Sequence, residues 1–168
     1  DPVIGAPFQI SPDFDDAPLL GWGTQNSPDV AVDPVSGKAL VVFTDLSGPN
    51  PLIKGILYDV YQGEVLTPGG IRLSDNTPGA KNFPRVAGSE DDVFLVVWED
   101  GRAAPTKIYG RSVDASSGAI APREPTDIQI SAAIFPQTAP ADAYGSDGVA
   151  WRWLVAWSEN QGGKTAPM

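Results

Sequence analysis

The stretch FLVVWEDGR, Phe94 to Arg102, decides how this sequence is interpreted. An apolar run ends in two acids, a glycine and an arginine, a pattern that could deliver charged groups to a reaction centre. Near-copies occur on both sides, as ALVVFTDLS from Ala39 and WLVAWSENQ from Trp153. The motif therefore either carries chemistry or marks a structural repeat, and the rest of the sequence must decide between the two.

The similarity extends over most of the chain, with small insertions and deletions in the turns. The further matching segments are SPDVA (27–31), FPRVA (83–87) and FPQTA (135–139) before the motif, and IRLS (71–74) and IQIS (128–131) after it. Because the matches recur in the same order about 55 residues apart, the sequence indicates two full copies of a repeat and the start of a third.

Each full copy contains four strand candidates. They are the PDVAV type, the apolar LVVF or LVVW run, an alternating segment such as KIYGRSVD, and the IRLS or IQIS segment. The chain has 18 Gly and 17 Pro, which break helices and keep each element short. We therefore predict an all-β protein.

Four-stranded units of this length with recurrent aromatic residues are typical of the blades of a β-propeller. The segments P-x-V-A, LVVW-x-D and IYG-x-x-VD also resemble the Trp-Asp-type blade repeats of secreted prokaryotic β-propellers, including sialidase-like ones. The Asp-box pattern S-x-D-x-G-x-T-W is not met, because SDGVAW (146–151) has the wrong spacing. A β-sandwich is the alternative architecture.

The repeat predicts the organisation of the chain. Residues 1–21 would supply the last strand of a preceding blade, at Pro7–Ser11, and a linker. Residues 22–74 and 75–131 would form two complete blades, and residues 132–168 the first two strands of a third. Two and a half blades do not close a ring, so we expect a longer polypeptide, or further copies of the chain, to complete it.

Composition excludes several kinds of chemistry. The chain has no Cys and no His, which removes thiolate and histidine catalysis and the commonest transition-metal ligands. Its net charge of −10 disfavours nucleic acid and anionic membranes as partners, and no apolar run is long enough to span a bilayer. An acidic, Cys-free composition is typical of extracellular or cell-surface proteins of prokaryotes.

Positions that differ between copies are the candidate ligand-binding residues. The residue after the proline of the first strand is Asp29, then Arg85, then Gln137. In a propeller this strand lines the central channel, so these polar side chains could converge at its mouth, either as a ligand site or as an Asp–Arg structural contact.

The third copy carries aromatic residues that the others lack. Tyr144, Trp151 and Trp153 flank an inserted loop and could form a platform for a carbohydrate, or they could simply pack in the core.

Positions that repeat are interpreted as structural. The acids Asp45, Asp100 and Glu159 would accept hydrogen bonds in the turns after their strands, and the aromatic residues Phe43, Trp98 and Trp157 would pack between blades. The acidic loops SPDFDD (11–16) and SEDDV (89–93) could hold Ca²⁺, although neither has EF-hand spacing, and solvated turns are the simpler interpretation.

We therefore predict a non-catalytic extracellular β-propeller segment that acts as a structural or interaction module. Its partners would be a protein or the further copies and segments that complete the ring. Two alternatives remain open: a lectin-like propeller that binds glycans through the aromatic residues, and a fragment of a glycoside-acting enzyme with acids such as Asp29 at the channel mouth.

Overall fold

A computed structural model describes residues 24–116, 121–132, 134–146 and 150–161. Strands account for 57% of these residues, and no helix occurs among them. The all-β prediction is thus confirmed, and the strands form separate antiparallel sheets within residues 22–74, 75–131 and 132–168. The predicted strand at Pro7–Ser11 lies outside the described residues.

Sheet A is an antiparallel meander of three long strands and two short ones. Strands β1 (Gln25–Val32), β2 (Lys38–Asp45) and β3 (Leu52–Asp59) are followed by β4 (Glu64–Val65) and β5 (Ile71–Arg72), which both pair with β3. Sheet B repeats this order with β6 (Lys81–Gly88), β7 (Val93–Asp100), β8 (Lys107–Asp114), β9 (Ala121–Pro122) and β10 (Ile128–Gln129).

The fourth strand predicted at IRLS and IQIS is shorter in the structure, Ile71–Arg72 and Ile128–Gln129, and a short strand that was not predicted, β4 or β9, precedes it. In sheet A the segment between β4 and β5 contains Thr67-Pro68, and proline cannot donate to a strand ladder. Side chains replace the missing partners: Thr67 Oγ1 accepts a hydrogen bond from Leu57 N at 2.8 Å, and Ser74 Oγ accepts one from Ile53 N at 3.0 Å. The serine that ends IRLS therefore closes the outer edge of the sheet.

Sheet C consists of β11 (Gln137–Ser146) and β12 (Trp151–Glu159), the two strands predicted for the third copy. Among the described residues β12 pairs only with β11, whereas the corresponding strands β2 and β7 are paired on both sides.

A β-bulge recurs in the first strand of all three sheets. Ser27, Phe83 and Ala139 have φ angles of 51°, 51° and 52°, and each lies where the strand register shifts. Positive φ is uncommon for non-glycine residues, so its recurrence at one position fixes the equivalence of the three strands.

This equivalence corrects the predicted alignment of the third copy. Ala139-Pro140-Ala141 corresponds to Ser27-Pro28-Asp29, four residues later than the FPQTA alignment requires. The residue equivalent to Asp29 and Arg85 is therefore Ala141, and the interpretation of Gln137 as their counterpart is wrong. A motif of proline, two residues and alanine occurs at both Pro136 and Pro140, so the sequence alone could not distinguish the two registers.

Each sheet has two faces, which we name the leading face and the trailing face. The leading face of each sheet carries Ala39, Val41 and Phe43 in sheet A, and their equivalents Phe94, Val96 and Trp98 in sheet B and Trp153, Val155 and Trp157 in sheet C. The trailing face is the opposite one, with Leu40 and Val42 in sheet A, Leu95 and Val97 in sheet B, and Leu154 and Ala156 in sheet C.

The main core lies between sheets A and B. Leu40 and Val42 from the trailing face of sheet A share one buried cluster with Phe94, Val96 and Trp98 from the leading face of sheet B. Trp98 is fully buried, as expected for an aromatic residue that packs between repeats. The first strands lie side by side in the order β1, β6, β11.

Candidate functional site

The candidate site lies where the first strands of the three sheets meet. Asp29 Oδ2 accepts a hydrogen bond from Val86 N at 3.0 Å, so this carboxylate of sheet A reaches the backbone of sheet B next to Arg85. The Arg85 guanidinium donates to the carbonyl of Pro84 at 2.9 Å. Among the described residues no ion pair joins Arg85 to a carboxylate. The structure therefore brings Asp29 close to Arg85 without the predicted ionic contact.

A third charged residue at this place was missed by the sequence analysis. Asp142 on β11 accepts a hydrogen bond from the backbone N–H of Ala87 and lies within the electrostatic reach of Asp29 and Arg85. Burial, and then the negative charge of Asp29, raise the pKa of Asp142 from 3.8 to about 7. Among the residues that the structure describes, its Oδ2 atom is buried without a hydrogen-bond partner. The corrected alignment would have placed Asp142 beside Ala141 on the first strand.

Gln137 has a different environment from the other two predicted residues. Its equivalents in the repeat are Gln25 and Lys81, and its side chain is fully buried. It contacts the Ser131 hydroxyl, and its Nε2 donates to Glu159 Oε2 at 3.1 Å. These bonds connect the end of sheet B to sheet C.

An open groove of about 340 Å³ runs beside the inner strands of sheets B and C. Phe83, Arg85, Glu99, Thr138 and Ala139 line it, and Glu99 Oε1 accepts a hydrogen bond from Ala139 N at 2.7 Å. A guanidinium, a carboxylate and a half-exposed aromatic ring therefore face the same opening. This combination could recognise a small polar molecule.

The aromatic residues of the third copy are partly brought together. The ring centroids of Tyr144 and Trp153 are 4.7 Å apart, with the planes tilted by 51°. Burial, and then Asp91 and Glu90, raise the pKa of Tyr144, which places this ring near the acidic β6–β7 loop of sheet B.

Trp153 is equivalent to Phe94, which is fully buried in the core between sheets A and B. The side chain of Trp151 lies outside the described residues. Glycan binding by these residues stays a prediction.

Two of the three acids at the strand ends, Asp45 and Asp100, accept the predicted hydrogen bonds in the turn, whereas Glu159 accepts from the side chains of Gln137 and Gln161. Asp45 accepts hydrogen bonds from Ser47 N at 3.0 Å and from the Ser47 hydroxyl at 2.9 Å, and it pairs with Lys54 Nζ at 2.5 Å. Asp100 accepts hydrogen bonds from Arg102 N at 2.9 Å and Trp98 Nε1 at 3.0 Å. Each carboxylate therefore fixes the turn that follows its strand.

Asp100 is also part of a larger group, which we call the strand-end network. It contains three carboxylates and three cations: Asp75, Asp100, Asp127, Lys81, Arg102 and Arg111. Burial opposes ionisation of Asp100, but the hydrogen bonds from Arg102 and Trp98 outweigh it and hold the pKa of Asp100 below its ordinary value. The positive and negative charges balance, so the network needs no further ligand.

The predicted Ca²⁺ loops are described only in part. Residues 11–16 lie outside the described residues. In the 89–93 loop, Ser89 Oγ accepts hydrogen bonds from Asp91 N and Val93 N, and the Asp92 carboxylate pairs with Lys38 Nζ at 2.9 Å. Within the described ranges no group of three or more acidic residues could hold a metal ion.

Comparisons of the chain with protein-family models, with curated proteins and with solved structures give no match. The part of the chain that the structure describes includes no helix of the length and apolarity needed to cross a membrane.

Proposed function

We propose that the chain is a segment of an extracellular or cell-surface β-propeller of a prokaryote, and that it acts as a structural and interaction module. The observation that carries this proposal is the packing of the trailing face of sheet A on the leading face of sheet B, with β1, β6 and β11 side by side. Blades arranged around a common axis would have this relation. The partners would be further copies or segments that complete the ring.

The roles of the repeated polar residues favour a structural module over an enzyme. Asp45 and Asp100 fix turns, Ser74 closes a sheet edge, and Gln137 connects sheet C to Ser131 at the end of sheet B. The acidic composition, with a net charge of −10, agrees with an extracellular location.

Distances between spin labels test whether the sheets are arranged around a common axis. The chain has no Cys, so a label attaches only to cysteines introduced at chosen pairs of positions. An inner pair at the equivalent positions Asn26 and Asn82 is compared with an outer pair at the equivalent positions Arg72 and Gln129, all in sheets A and B. Sheets that diverge from an axis should give an outer distance roughly 10 Å or more above the inner one, given about 4.8 Å between strands. Equal distances would indicate parallel layers, as in a sandwich, and would contradict the proposal.

A second candidate function is supported by the environment of Asp142. Glycosidases use two carboxyl groups, one of which keeps its proton near neutral pH because its pKa is raised. Asp142, with a pKa of about 7 beside Asp29, has this property. Hydrolysis of chromogenic glycosides that is lost in both Asp142→Asn and Asp29→Asn would establish the enzyme alternative, and activity that survives both changes would contradict it.

A further inference from the structure

The open groove between sheets B and C is lined by side chains that do not recur at the equivalent positions of the other sheets. Sheet B contributes Phe83, Arg85 and Glu99, and sheet C contributes Thr138 and Ala139. The equivalents of the three sheet B residues are Ser27, Asp29 and Thr44 in sheet A, and Ala139, Ala141 and Ser158 in sheet C. An aromatic ring, a guanidinium and a carboxylate therefore occur together in sheet B alone, as expected for a binding site rather than for a repeated structural contact.

Arg85 and Glu99 are diagonal neighbours on one face of sheet B. Arg85 pairs with Val97 across the strands, and Glu99 lies two residues further along β7. Diagonal neighbours are about 7–8 Å apart, which long side chains can bridge. Instead, Arg85 donates a hydrogen bond to the Pro84 carbonyl at 2.9 Å, and Glu99 accepts one from Ala139 N at 2.7 Å. Backbone contacts thus hold the two opposite charges apart at the groove.

Both charged groups keep unused hydrogen-bonding capacity. Among the described residues, the guanidinium uses one of its five N–H donors, and the second carboxylate oxygen of Glu99 accepts no hydrogen bond. In the same ranges no ion pair joins Arg85 or Glu99 to another side chain. Asp29 and Asp142 lie near Arg85, but each accepts a hydrogen bond from the backbone of sheet B. A ligand can therefore reach both charges.

The opposite signs of the two charges select the class of ligand. A simple anion would be repelled by Glu99 and by the net charge of −10, and a simple cation would be repelled by Arg85. A zwitterion satisfies both groups, because its carboxylate can accept paired hydrogen bonds from a guanidinium while its ammonium donates to a carboxylate.

The size and the apolar wall of the groove narrow the class further. Its volume of about 340 Å³ is at the lower end of the range for ligand pockets, about 300–1,000 Å³, and suits a small molecule. The ring of Phe83 is 47% exposed in this groove and can pack against an apolar substituent.

We propose that the groove binds a free α-amino acid with an apolar side chain. Its carboxylate pairs with Arg85, its ammonium with the free oxygen of Glu99, and its side chain packs on Phe83. This inference goes beyond the proposed structural function and does not depend on it, because all the lining residues belong to sheets B and C of one chain.

Isothermal titration calorimetry of the full chain with L-leucine, and in parallel with L-phenylalanine, tests the proposal. We expect a dissociation constant below about 1 mM for at least one of them. Two analogues of L-leucine remove one charge each: 4-methylpentanoate lacks the ammonium, and 3-methylbutylamine lacks the carboxylate. Each should bind at least about 10-fold more weakly than L-leucine, because one charged group of the groove stays without its partner.

Substitutions assign the two charged contacts to residues. Glu99→Gln keeps an oxygen for Ala139 N but removes the charge, so L-leucine and 4-methylpentanoate should then bind about equally. Arg85→Gln should in the same way remove the preference for L-leucine over 3-methylbutylamine. Arg72→Gln and Glu64→Gln are the matched controls, because both residues are exposed on the short outer strands of sheet A, and they should leave the constants unchanged.

Ala139→Phe blocks the groove without changing any charge. Phe83, the equivalent residue of sheet B, has a φ angle of 51° against 52° at Ala139, so the backbone at this position accepts phenylalanine. The added ring would occupy the groove, and the affinity for L-leucine should fall at least about 10-fold. Near-ultraviolet circular dichroism of the tryptophans establishes that each variant is folded, and Arg85→Lys, which cannot form the paired hydrogen bonds, replaces Arg85→Gln if that variant unfolds.

Three results would overturn the proposal. The first is no heat of binding with either amino acid up to about 10 mM. The second is equal affinity of the wild-type protein for L-leucine and its two analogues. The third is binding that survives Ala139→Phe, which would place the ligand outside the groove. The spin-label distances decide the proposed structural function independently of all three.

Discussion

Two groups of charged residues in this protein differ in how completely they are partnered. In the strand-end network of sheet B, Arg102 contacts Asp100 and Asp127, and Arg111 contacts Asp75 and Asp127. Among the described residues, Arg111 Nε in this network and one Asp142 oxygen where the first strands meet are both buried without a hydrogen-bond partner, but Arg111 is ion-paired to two carboxylates, whereas no ion pair joins Asp142 to a cation. The comparison shows that charged residues recurring at strand ends can be purely structural. The Asp142 carboxyl, with a buried oxygen that lacks a hydrogen-bond partner among the described residues, is the better candidate for a functional group.

The largest effect is expected when the strand-end network loses one charge. Asp100→Asn should lower the free energy of unfolding by about 3–5 kcal/mol, because Arg102 would keep a buried charge without its main partner. Asp45→Asn at the equivalent position is the matched control and should cost about 1–2 kcal/mol, since Asp45 bonds Ser47 and Lys54, whereas Arg102 links Asp100 to two further carboxylates of the strand-end network. Urea unfolding measures both, and equal losses would remove the distinction between sheets A and B.

A smaller loss of stability is expected when Lys81, the fully buried cation of the strand-end network, is replaced. Lys81 is fully buried, and its Nζ donates to the Thr77 carbonyl at 2.7 Å. Lys81→Met keeps the volume but leaves three carboxylates against two arginines, so we expect a loss of about 2 kcal/mol. The burial that lowers the pKa of Lys81 already offsets part of its contribution. Denaturation at pH 7 checks the value, and a neutral or stabilising result would mean that burial outweighs the three neighbouring acids.

Replacement of Asp142 should stabilise the protein, in contrast to the changes in the strand-end network. Because the pKa of Asp142 is raised from 3.8 to about 7, the folded state binds a proton more tightly, and stability falls as pH rises from about 4 to 7. Asp142→Asn should remove this dependence and raise the free energy of unfolding by about 1–3 kcal/mol at pH 8, with little change at pH 4. Urea unfolding at the two pH values tests this.

The acids with lowered pKa values determine how the stability of the protein changes at acidic pH. Lowered pKa values at Asp45, Asp75 and Asp100 stabilise the folded state above about pH 4, and this contribution is lost as pH falls further. The wild-type protein should therefore be most stable between about pH 4 and 6. A maximum above pH 7 would contradict the role given to Asp142.

The smallest effect is expected at Asp29. Asp29→Asn keeps an oxygen that can accept the hydrogen bond from Val86 N, so stability should change by about 0.5 kcal/mol or less. The change removes the negative charge that raises the pKa of Asp142, and that pKa should fall measurably below 7. Carbon-13 NMR titration of the Asp142 carboxyl gives the value, and an unchanged pKa would show that burial alone sets it.

Apolar periodicity was sufficient to predict the long strands. The runs at Ala39–Asp45, Phe94–Asp100 and Trp153–Glu159 all lie in the second strands of their sheets, because a buried strand needs a continuous apolar segment. The turn-fixing role of Asp45 and Asp100 was also predictable, since each interaction is local in sequence.

Interactions between distant residues were not predictable in the same way. Asp127 meets Arg102 because the segment between β9 and β10 returns to the end of β7, and no spacing rule in the sequence specifies that path. Asp142 was missed for a different reason. The choice between Pro136 and Pro140 depended on a backbone angle at Ala139, for which alanine gives no signal.

The recurrent bulge has a consequence for how such a chain can change length. Because Ser27, Phe83 and Ala139 place the bulge at the same point of each unit, a duplicated segment spanning 75–131 would carry both the register and the two faces that its neighbours require. Inserted after residue 131, it would meet a trailing face on one side and a leading face on the other. Gain of such a unit by gene duplication would then keep the contacts of sheet A with sheet B and of sheet B with sheet C, and add one contact between two copies of sheet B.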